Sequence, residues 1–429
     1  MEKFDVAVVG AGLAGVMAAH AAASAGLQVL LVERGDAPGT KTVSGGLLYS
    51  HGLAKAFPEF WREDPAPVER AISRNVVSFL TPRAAASIDY FDASLAEPPY
   101  NSFSVLRSRL DPWLAAKAEA AGATAVYGMK VDGLVRENGR VCGIRAGGDD
   151  VRADVVVIAE GVNALAARAA GLQADPAPEH VGVGVKQVIG LPPGEVERRF
   201  QLTGIEGTQI TTIGFPSGVE GGAFVYTNRD SLSIGLIVNL RSLVARKVRM
   251  TDLLEEFKQH PLVARWLDGG TLLEYSGCFV GEGGYDARPP LFGDGYLVAG
   301  SAAGLFLNTG FTLRGMDFAL ESGRIAGEVA ADAVRAKSTD AAFLARYRDR
   351  LAASFVLRQL RTYRRYPSFF SNARLYAEYP EILTSLLHRA YFVDGSDKPH
   401  LRALLRESYR GKASLLTLGR DLWQAMRTL

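Results

Sequence analysis

The N-terminal pattern of apolar positions predicts a strand, a turn, a helix and a second strand. Residues 4–9 form an apolar, β-rich run, and a Gly-rich turn, GAGLAG, follows at residues 10–15. An Ala-rich segment continues to about Ala25, and Gly26 is suited to end a helix because it tolerates a left-handed conformation. Residues 27–33 are again apolar and end on a carboxylate. The pattern is that of one βαβ unit.

Elements of the same nucleotide-binding type recur far along the chain. They are a helix at 107–122, a buried parallel-type strand at 151–160, a strand at 295–300 and a helix at 315–336. Asp111 and Pro112 have the order expected of an N-cap and a first helical residue. Residues 181–280 contain several strand-like runs between Gly, Pro and Asn turns, which favours antiparallel pairing.

Because nucleotide-binding elements occur in separate parts of the chain, the sequence predicts an α/β fold. In it, a discontinuous, Rossmann-like cofactor domain carries an inserted, mostly antiparallel β-sheet domain. The remainder has helical periodicity broken by prolines. The predicted division is residues 1–75, 102–172 and 288–336 for the cofactor domain, 76–101 and 173–287 for the substrate domain, and 337–429 for a helical C-terminal region.

Composition excludes several kinds of function. The chain has 429 residues and is 48% hydrophobic, which is enough for one large or two intimate domains. A net charge of +2 carries no signature of nucleic-acid binding. The apolar N-terminal stretch is interrupted by polar residues and glycines, and no other apolar run is long enough to cross a bilayer. Any membrane contact is therefore predicted to be peripheral.

Charge is distributed unevenly along the chain. Residues 336–429 carry 17 Lys and Arg against 8 Asp and Glu, although the whole chain has a net charge of only +2. A basic C-terminal region on an acidic body indicates a docking face for an acidic protein or an anionic membrane. The alternative is a set of ordinary solvated helix faces.

Cys142 and Cys278 are the only cysteines, and they lie far apart in sequence. Two cysteines cannot supply the ligands of a cysteine-bound iron–sulfur cluster, and they argue against a disulfide scaffold. We therefore expect no metal site in this chain and a reducing, cytoplasmic location, with peripheral contact at the inner face of the cytoplasmic membrane as a further expectation.

The turn at residues 10–15 has the spacing of a dinucleotide fingerprint. Gly10 permits the tight turn, Gly12 lets backbone amides approach a pyrophosphate, and Gly15 allows close packing of helix and strand. Glu33 is placed to bond a ribose 2′-hydroxyl and would repel a 2′-phosphate, so FAD or NAD fits and NADP does not. A tight turn without a ligand is the alternative. The sequence contains one such fingerprint, whereas a two-nucleotide reductase would need a second.

Longer motifs carry a resemblance to a known family. They are GAGLAG (10–15), SGGLLY (44–49), LRSRLDPWL (106–114), EGVN (160–163), GGAFVYTN (221–228), GDGYLVAGSAAG (293–304), NTGFTLRGMD (308–317) and YRRYP (363–367). The chain resembles the FixC branch of the electron-transfer flavoprotein:quinone oxidoreductase family, which has a p-hydroxybenzoate-hydroxylase-like fold. The resemblance covers almost the whole chain and implies non-covalent FAD.

The resemblance also implies which residues bind FAD. They are Gly10, Gly12, Ala14, Gly15, Glu33, Arg34, Ser44, Gly45, Gly46, Arg107, Glu160, Gly161, Gly300, Ser301, Gly310, Phe311 and Thr312. Two of them depart from the usual pattern. Ser301 stands where related flavoproteins carry Asp, and a hydroxyl lacks the charge-assisted strength of a carboxylate. Glu160 replaces the shorter Asp. Both departures leave the FAD interpretation standing.

Quinone-site candidates are Tyr226 and Asn228 as hydrogen-bonding groups and Phe306, Leu307 and Phe311 as apolar walls. Ordinary core packing is the alternative for the apolar residues. The sequence shows no defensible acid–base pair for quinone protonation; Lys41, His51 and Tyr226 are only candidates.

The resemblance implies a complex and a reaction. Larger family members carry a fused four-cysteine iron–sulfur domain, and in the FixC branch a separate ferredoxin-like subunit replaces it. The implied partners are the α and β subunits of an electron-transfer flavoprotein, that ferredoxin-like subunit and a quinone. The implied reaction passes electrons through FAD to quinone, as the high-potential arm of NADH-driven electron bifurcation. The alternatives are a stand-alone flavin reductase of a lipid, similar to geranylgeranyl reductases, and a non-catalytic flavoprotein scaffold.

Overall fold

Strands and helices follow the apolar pattern of the sequence. The computed structural model describes residues 3–41, 46–214 and 218–429. The strands are β1 Lys3–Val9, β2 Val29–Val32, β3 Gly46–Tyr49, β4 Ala71–Thr81, β5 Ala84–Phe91, β6 Ser102–Val105, β7 Thr124–Val126, β8 Val131–Glu137, β9 Arg140–Ala146, β10 Asp149–Ile158, β11 Val181–Gly190, β12 Glu206–Ile213, β13 Gly221–Thr227, β14 Ser231–Asn239, β15 Thr271–Gly281, β16 Phe292–Gly293, β17 Tyr296–Val298, β18 Leu307–Asn308 and β19 Leu313–Arg314.

The helices fall into two groups, those between the strands and a C-terminal series. They are α1 Leu13–Ser24, α2 His51–Ala54, α3 Arg107–Ala120, α4 Leu165–Ala169, α5 Glu195–Phe200, α6 Leu240–Arg246, α7 Met250–Gln259, α8 Pro261–Leu267, α9 Met316–Arg335, α10 Ala341–Ala353, α11 Phe355–Thr362, α12 Tyr366–Phe370, α13 Glu378–Tyr391, α14 Leu401–Tyr409 and α15 Leu415–Thr428.

The first sheet is built on parallel strands drawn from three distant parts of the chain. Among the described residues its order is β16-β17-β10-β1-β2-β7, with β9 and β8 added beside β10. The contacts of β1 with β10 and β2, of β10 with β17 and of β2 with β7 are parallel. The central strands are buried because helices cover them. This sheet confirms the predicted discontinuous Rossmann-like fold.

The second sheet is mostly antiparallel, as predicted. Its nine described strands have the order β15-β11-β14-β13-β12-β4-β6-β3, with β5 paired to β4. The one parallel contact joins β12 to β4. Strands β3 and β6 belong to this sheet although residues 46–49 and 102–105 fall within the range assigned to the cofactor domain. Their backbone pairing, which local sequence patterns do not encode, joins them to β4.

The predicted N-cap of one helix is wrong. Helix α3 begins at Arg107, as predicted, but its N-cap is Leu106, and Pro112 lies inside the helix. Asp111 is therefore not a cap. Its side chain is 1% exposed, and its carboxylate accepts hydrogen bonds from the Arg107 guanidinium one turn earlier. The Asp111 carboxylate bonds the Arg107 guanidinium within the helix, and not the backbone amides that an N-cap side chain would bond.

Helices α1 and α9 pack closely on one another. A Cβ added at Gly323 would lie 2.0 Å from the Ala14 carbonyl oxygen, and one at Gly327 would lie 2.3 Å from the Ala18 carbonyl oxygen. The two backbones approach this closely only because α9 presents glycine at both positions. The contact fixes the segment before α9 against the N-terminal end of α1.

Candidate functional site

The Gly-rich turn joins β1 to α1 at the carboxyl end of the first sheet. Gly10 has φ +98°, and a Cβ added there would lie 2.6 Å from the Ala159 carbonyl oxygen. A Cβ on Gly15 would lie 1.8 Å from the Gly10 carbonyl oxygen. Both positions require glycine because the turn packs directly against neighbouring backbone.

Gly12 differs from the other two glycines because the space beside it is open. Among the described residues, the one heavy atom within 4 Å of an added Cβ is Nη2 of Arg107, at 3.9 Å. Gly12 is the N-cap of α1, and it has no side chain with which to cap the helix. The amides of the first turn and the positive end of the helix dipole therefore face an open approach, which fits a pyrophosphate.

Glu33 follows β2 and is held beside this turn. One carboxylate oxygen accepts a hydrogen bond from the Ala11 amide at 2.9 Å, and the other accepts one from the Gly35 amide at 2.8 Å. Each oxygen retains acceptor capacity for a ribose hydroxyl. Arg34, the next residue, is exposed.

Arg107 lies against the same turn from the start of α3. Its guanidinium donates to both oxygens of Asp111, and only 14% of the Arg107 side chain is exposed. Burial raises the pKa of the Asp111 carboxyl, and the adjacent Arg107 charge opposes that shift. The pair holds a guanidinium next to Gly12, where phosphate oxygens would lie.

The segment after β17 closes on the same helix. Gly300 has φ +65°, and a Cβ there would lie 2.7 Å from the Ala14 Cβ. The Gly300 amide donates to the Ser322 hydroxyl at 3.0 Å. Ser301 follows with its side chain exposed. The structure thus brings Ala14, Gly300 and Ser301 together although they are far apart in sequence.

Glu160 has a structural partner in its own loop. Its carboxylate accepts hydrogen bonds from the Ala166 amide at 3.0 Å and the Ala167 amide at 3.2 Å, which are in the first turns of α4. The longer side chain therefore caps a helix. Gly161 has φ +73° and open space beside it.

The loop between β18 and β19 is held by its own polar groups. The Gly310 amide donates to the Asn308 side-chain oxygen at 2.8 Å, and the Thr312 amide donates to the Thr309 hydroxyl at 3.1 Å. These bonds fix the loop, which contains three of the residues predicted to bind FAD. Ser44 and Gly45 lie outside the described residues. Gly46 begins β3, and an added Cβ would lie 2.6 Å from Cε of Met316.

A cavity of about 330 Å³ lies between the second sheet, the 306–313 loop and the C-terminal helices. Strands β12, β13 and β14 form one wall, and α12 with the segment after it forms another. The residues that line the cavity include Glu220, Asn239, Arg241, Glu282, Phe306, Gly310, Tyr366, Ser371 and Tyr376.

The structure separates the five quinone-site candidates, of which Leu307 is fully buried. Phe306 lines the cavity. Tyr226 is buried in the second sheet and stacks on Phe224 with ring centroids 5.0 Å apart. Phe311 is 66% exposed on the outside of its loop. Asn228 is fully buried at the end of β13, where its amide donates to the hydroxyls of Ser231 and Ser233.

Strand geometry explains why Asn228 is separated from the cavity. The cavity meets β13 at residues 221–224, and the four residues of extended chain from Phe224 to Asn228 span roughly 13 Å. Asn228 therefore does not line the cavity, although it directly follows the GGAFVYT motif in the sequence.

Sequence reasoning missed the most unusual titratable group of the cavity, Glu282. Burial raises the pKa of its carboxyl to about 7, the charge of Glu220 adds to the shift, and a hydrogen bond from Asn239 opposes it. The signal available in the sequence was a lone carboxylate between glycines, GEGG, at the end of a strand. The proton candidates proposed from sequence lie elsewhere: Lys41 is exposed, and His51 pairs with Asp317 at 3.3 Å.

Comparisons with known proteins match this arrangement along its length. Residues 5–180 match the FAD dependent oxidoreductase family, residues 181–279 the ubiquinone-binding region of ETF-QO, and residues 366–429 the C-terminal domain of the ETF-QO/FixC family. Protein FixC of Escherichia coli K12 is 43% identical over 92% of this chain and 91% of its own. "Probable electron transfer flavoprotein-quinone oxidoreductase YdiS" of the same organism is 41% identical over 98% of this chain and 97% of its own.

The chain belongs to the ETF-QO/FixC family. It is accordingly an FAD-dependent oxidoreductase of the electron transfer flavoprotein-quinone oxidoreductase type, which confirms the resemblance and the enzyme class predicted from sequence. A solved structure of a geranylgeranyl bacteriochlorophyll reductase-like protein from Thermoplasma acidophilum has the same fold, with a TM-score of 0.73 and 20% identity over 99% of this chain and 100% of the other.

The ETF-QO/FixC cofactor, FAD, fits the residues of the first sheet. The open space at Gly12, the uncapped end of α1 and the Glu33 carboxylate match a pyrophosphate and an adjoining ribose with a free 2′-hydroxyl. No helix in the described ranges has both the length and the apolar character to cross a membrane.

Proposed function

We propose that this chain passes electrons from a partner electron-transfer flavoprotein through FAD to a quinone bound in the 330 Å³ cavity. One observation carries the assignment of the cavity. Its walls come from the region that matches the ubiquinone-binding family, from the region that matches the FixC C-terminal domain, and from the 306–313 loop between them.

The individual FAD contacts are part of the proposal. Gly12 and the first turn of α1 would hold the pyrophosphate, with Arg107 adding positive charge and Glu33 bonding the adenosine ribose. The Gly310 loop would meet the flavin ring near the cavity. Bound FAD supplies the ability to accept and release electrons; the chain's own residues orient it and shape the space beside it.

The partners and the wider reaction also belong to the proposal. The sequence has one dinucleotide fingerprint, so NADH oxidation is assigned to another subunit. Two cysteines leave an iron–sulfur cluster to a separate ferredoxin-like subunit. The high-potential arm of NADH-driven bifurcation, working with the α and β subunits of an electron-transfer flavoprotein, accounts for both features. The similarity to YdiS, a probable electron transfer flavoprotein-quinone oxidoreductase, supports the flavoprotein and quinone parts.

A stand-alone lipid reductase is not favoured. The similarity to the geranylgeranyl reductase-like protein is 20% identity and concerns the fold. The similarity to FixC and YdiS exceeds 40% and covers more than nine tenths of the chain.

Quinone transfer is the first prediction. Reduced electron-transfer flavoprotein should reduce a short-chain quinone only when this chain is present, as measured by quinone absorbance under anaerobic conditions. Ser371→Trp should raise the KM for quinone about tenfold or more, because an indole at this exposed wall position would occupy cavity volume. Equal rates without the chain would remove the assignment.

Thr362→Trp is the matched control, because Thr362 is exposed on α11 and does not line the cavity. It should leave the quinone KM unchanged. Both variants should retain wild-type flavin content. An unchanged KM in Ser371→Trp would place the quinone elsewhere.

The exposed apolar residues and arginines of α14 and α15 form what we call the C-terminal face. Leu416 is 88% exposed and Trp423 is 59% exposed. The exposed cations on these helices and the turn between them are Arg402, Arg406, Arg410, Arg420 and Arg427. Apolar and aromatic side chains among cations are the composition of a membrane-surface helix. We propose that this face rests on an anionic membrane.

The position of the C-terminal face favours a membrane over a protein partner. Leu429 follows α15, and its Cδ1 would lie 3.6 Å from a Cβ added at Gly310, which lines the cavity. The face therefore adjoins the cavity in which we place the quinone, a molecule that partitions into lipid. The ferredoxin-like subunit is the competing occupant.

Membrane docking is the second prediction. The flavin-loaded protein should float with phosphatidylglycerol vesicles, and binding should weaken at high salt because screening reduces attraction between exposed charges. Leu416→Ser with Trp423→Ser should reduce bound protein about tenfold, whereas Val244→Ser, which alters a 66% exposed valine on α6, should not. If the protein does not float with the vesicles even at low salt, the C-terminal face does not bind the membrane, and the ferredoxin-like subunit becomes the favoured partner of this face.

A further inference from the structure

The Glu282 side chain reaches the cavity because a facing glycine leaves room for it. Glu282 directly follows β15 and lines the cavity. A Cβ added at Gly182, on the neighbouring strand β11, would lie 2.9 Å from the Glu282 carboxyl carbon and 2.9 Å from its Oε1. The Glu282 amide donates to the His180 carbonyl oxygen at 2.8 Å, which fixes the backbone beside the strand end.

Polar groups from other strands and helices lie around the Glu282 carboxyl. The side chain of Asn239, at the end of β14, lies near enough to lower the pKa of this carboxyl, and its amide nitrogen donates to the Glu179 carbonyl oxygen at 2.9 Å. The Tyr366 hydroxyl donates to the Glu282 carbonyl oxygen at 3.2 Å. The titratable and charged groups that line the cavity with Glu282 are Glu179, His180, Glu220, Arg241, Tyr366 and Tyr376.

Burial raises the pKa of the Tyr366 and Tyr376 hydroxyls, so both stay protonated at neutral pH. Burial holds the pKa of Glu282 at about 7, which is the value that suits a general acid working near neutral pH.

The cavity lining also reaches solvent. The Glu220 side chain is 21% exposed, and the Arg241 side chain beside it is 53% exposed at a distance of 3.6 Å. Water can therefore approach the part of the cavity that these two residues line.

We propose that Glu282 is the general acid that protonates the quinone in this cavity, a role that rests on the proposed quinone reductase function. Reduction of a quinone to a quinol takes two electrons and two protons. Bound FAD, when reduced, would supply the electrons. For one proton, the O–H bond of Glu282 breaks as an O–H bond forms on a quinone oxygen. The carboxylate left behind takes a proton from water that enters the cavity. The second proton reaches the other quinone oxygen from the same water.

The test compares an acceptor that takes up protons with one that does not. Glu282→Gln should slow single-turnover oxidation of the reduced flavin by a short-chain quinone about 100-fold. Oxidation by ferricenium, which takes one electron and no proton, should be unchanged. Glu282→Asp retains an acid and should recover part of the quinone rate. Glu256→Gln, the same change on an exposed face of α7, is the control.

The wild-type pH profile tests the proposal without any substitution. A general acid acts in its protonated form, so the quinone rate should fall as pH rises through about 7. The ferricenium rate should show no such fall. A quinone rate that stays flat from about pH 6 to about pH 9 overturns the proposal, even if Glu282→Gln does not fold.

The remaining outcomes separate the two proposals. Glu282→Gln with a wild-type quinone rate and pH profile overturns the role of Glu282 and leaves quinone reduction standing. A wild-type protein that is oxidised by ferricenium but by no quinone removes the proposed function itself.

Discussion

Gly12→Val is expected to give a folded protein that does not retain FAD. The chain itself has room for the substitution, since an added Cβ meets only Nη2 of Arg107 at 3.9 Å among the described residues. The valine methyl groups would instead fill the approach to the first turn of α1, where the pyrophosphate needs close backbone contact. We expect a loss of at least about 3 kcal/mol of binding free energy, or more than roughly 100-fold in affinity.

The measurement is the flavin absorbance of the purified variant, with circular dichroism to confirm the fold. Gly15→Val provides the contrast, because its Cβ would lie 1.8 Å from the Gly10 carbonyl oxygen and the backbone would have to move. That variant should fail to fold. Gly133→Val, in open space on β8, should keep both fold and flavin. Normal flavin content in Gly12→Val would mean that the turn does not hold the pyrophosphate.

The second large effect is expected at Asp317, in the first turn of α9. Its side chain is fully buried, and Oδ2 accepts a 2.8 Å hydrogen bond from Nε of Arg314. Only 12% of the Arg314 side chain is exposed. The Arg314 guanidinium also packs on the rings of Tyr49, Phe318 and Phe355. Asp317→Asn removes the counter-charge of this guanidinium and should lower the free energy of unfolding by about 3 kcal/mol.

Urea unfolding of the flavin-loaded protein measures this effect. Asp349→Asn is the matched control, because Asp349 pairs with Arg348 where both side chains are more than half exposed. An exposed pair contributes only about 0–1 kcal/mol. Equal destabilisation by the two substitutions would argue against a buried charge at Arg314. Since Arg314 ends β19, we also expect Asp317→Asn to loosen the loop that lines the cavity.

The turn between β1 and α1 and the carboxylate beside it could be predicted from the local sequence. Gly10, Gly12 and Glu33 lie within one βαβ unit, where the order of elements in the chain is also their order in space. The chemistry of pyrophosphate recognition needs backbone amides, a helix end and one carboxylate, all of which this short segment supplies. The longer motifs then identified the family, and the 41–43% identical relatives confirm it.

Single residues outside that unit were harder to interpret. Asp111 has the local appearance of an N-cap, yet it is buried with Arg107 inside α3. Glu160 was predicted to bind FAD from its family position, which stays a prediction, and its carboxylate accepts hydrogen bonds from amides of α4. In both cases the side chain bonds to a group only a few residues away. Which of the nearby groups it bonds depends on burial, and the sequence pattern does not specify burial.

The sequence by itself determined the Gly-rich turn between β1 and α1, the discontinuous Rossmann-like fold and the family, because these depend on local glycine spacing, apolar periodicity and long motifs. Only the tertiary structure decided where the cavity lies and which groups face it. Glu282, Asn239 and Tyr366 come from segments separated by dozens of residues, and they meet because β11 pairs with β14 and β15 and because the C-terminal helices close over that sheet. Burial raises the pKa of the Glu282 carboxyl to about 7, and that burial is a property of the fold that the chain's local sequence does not show.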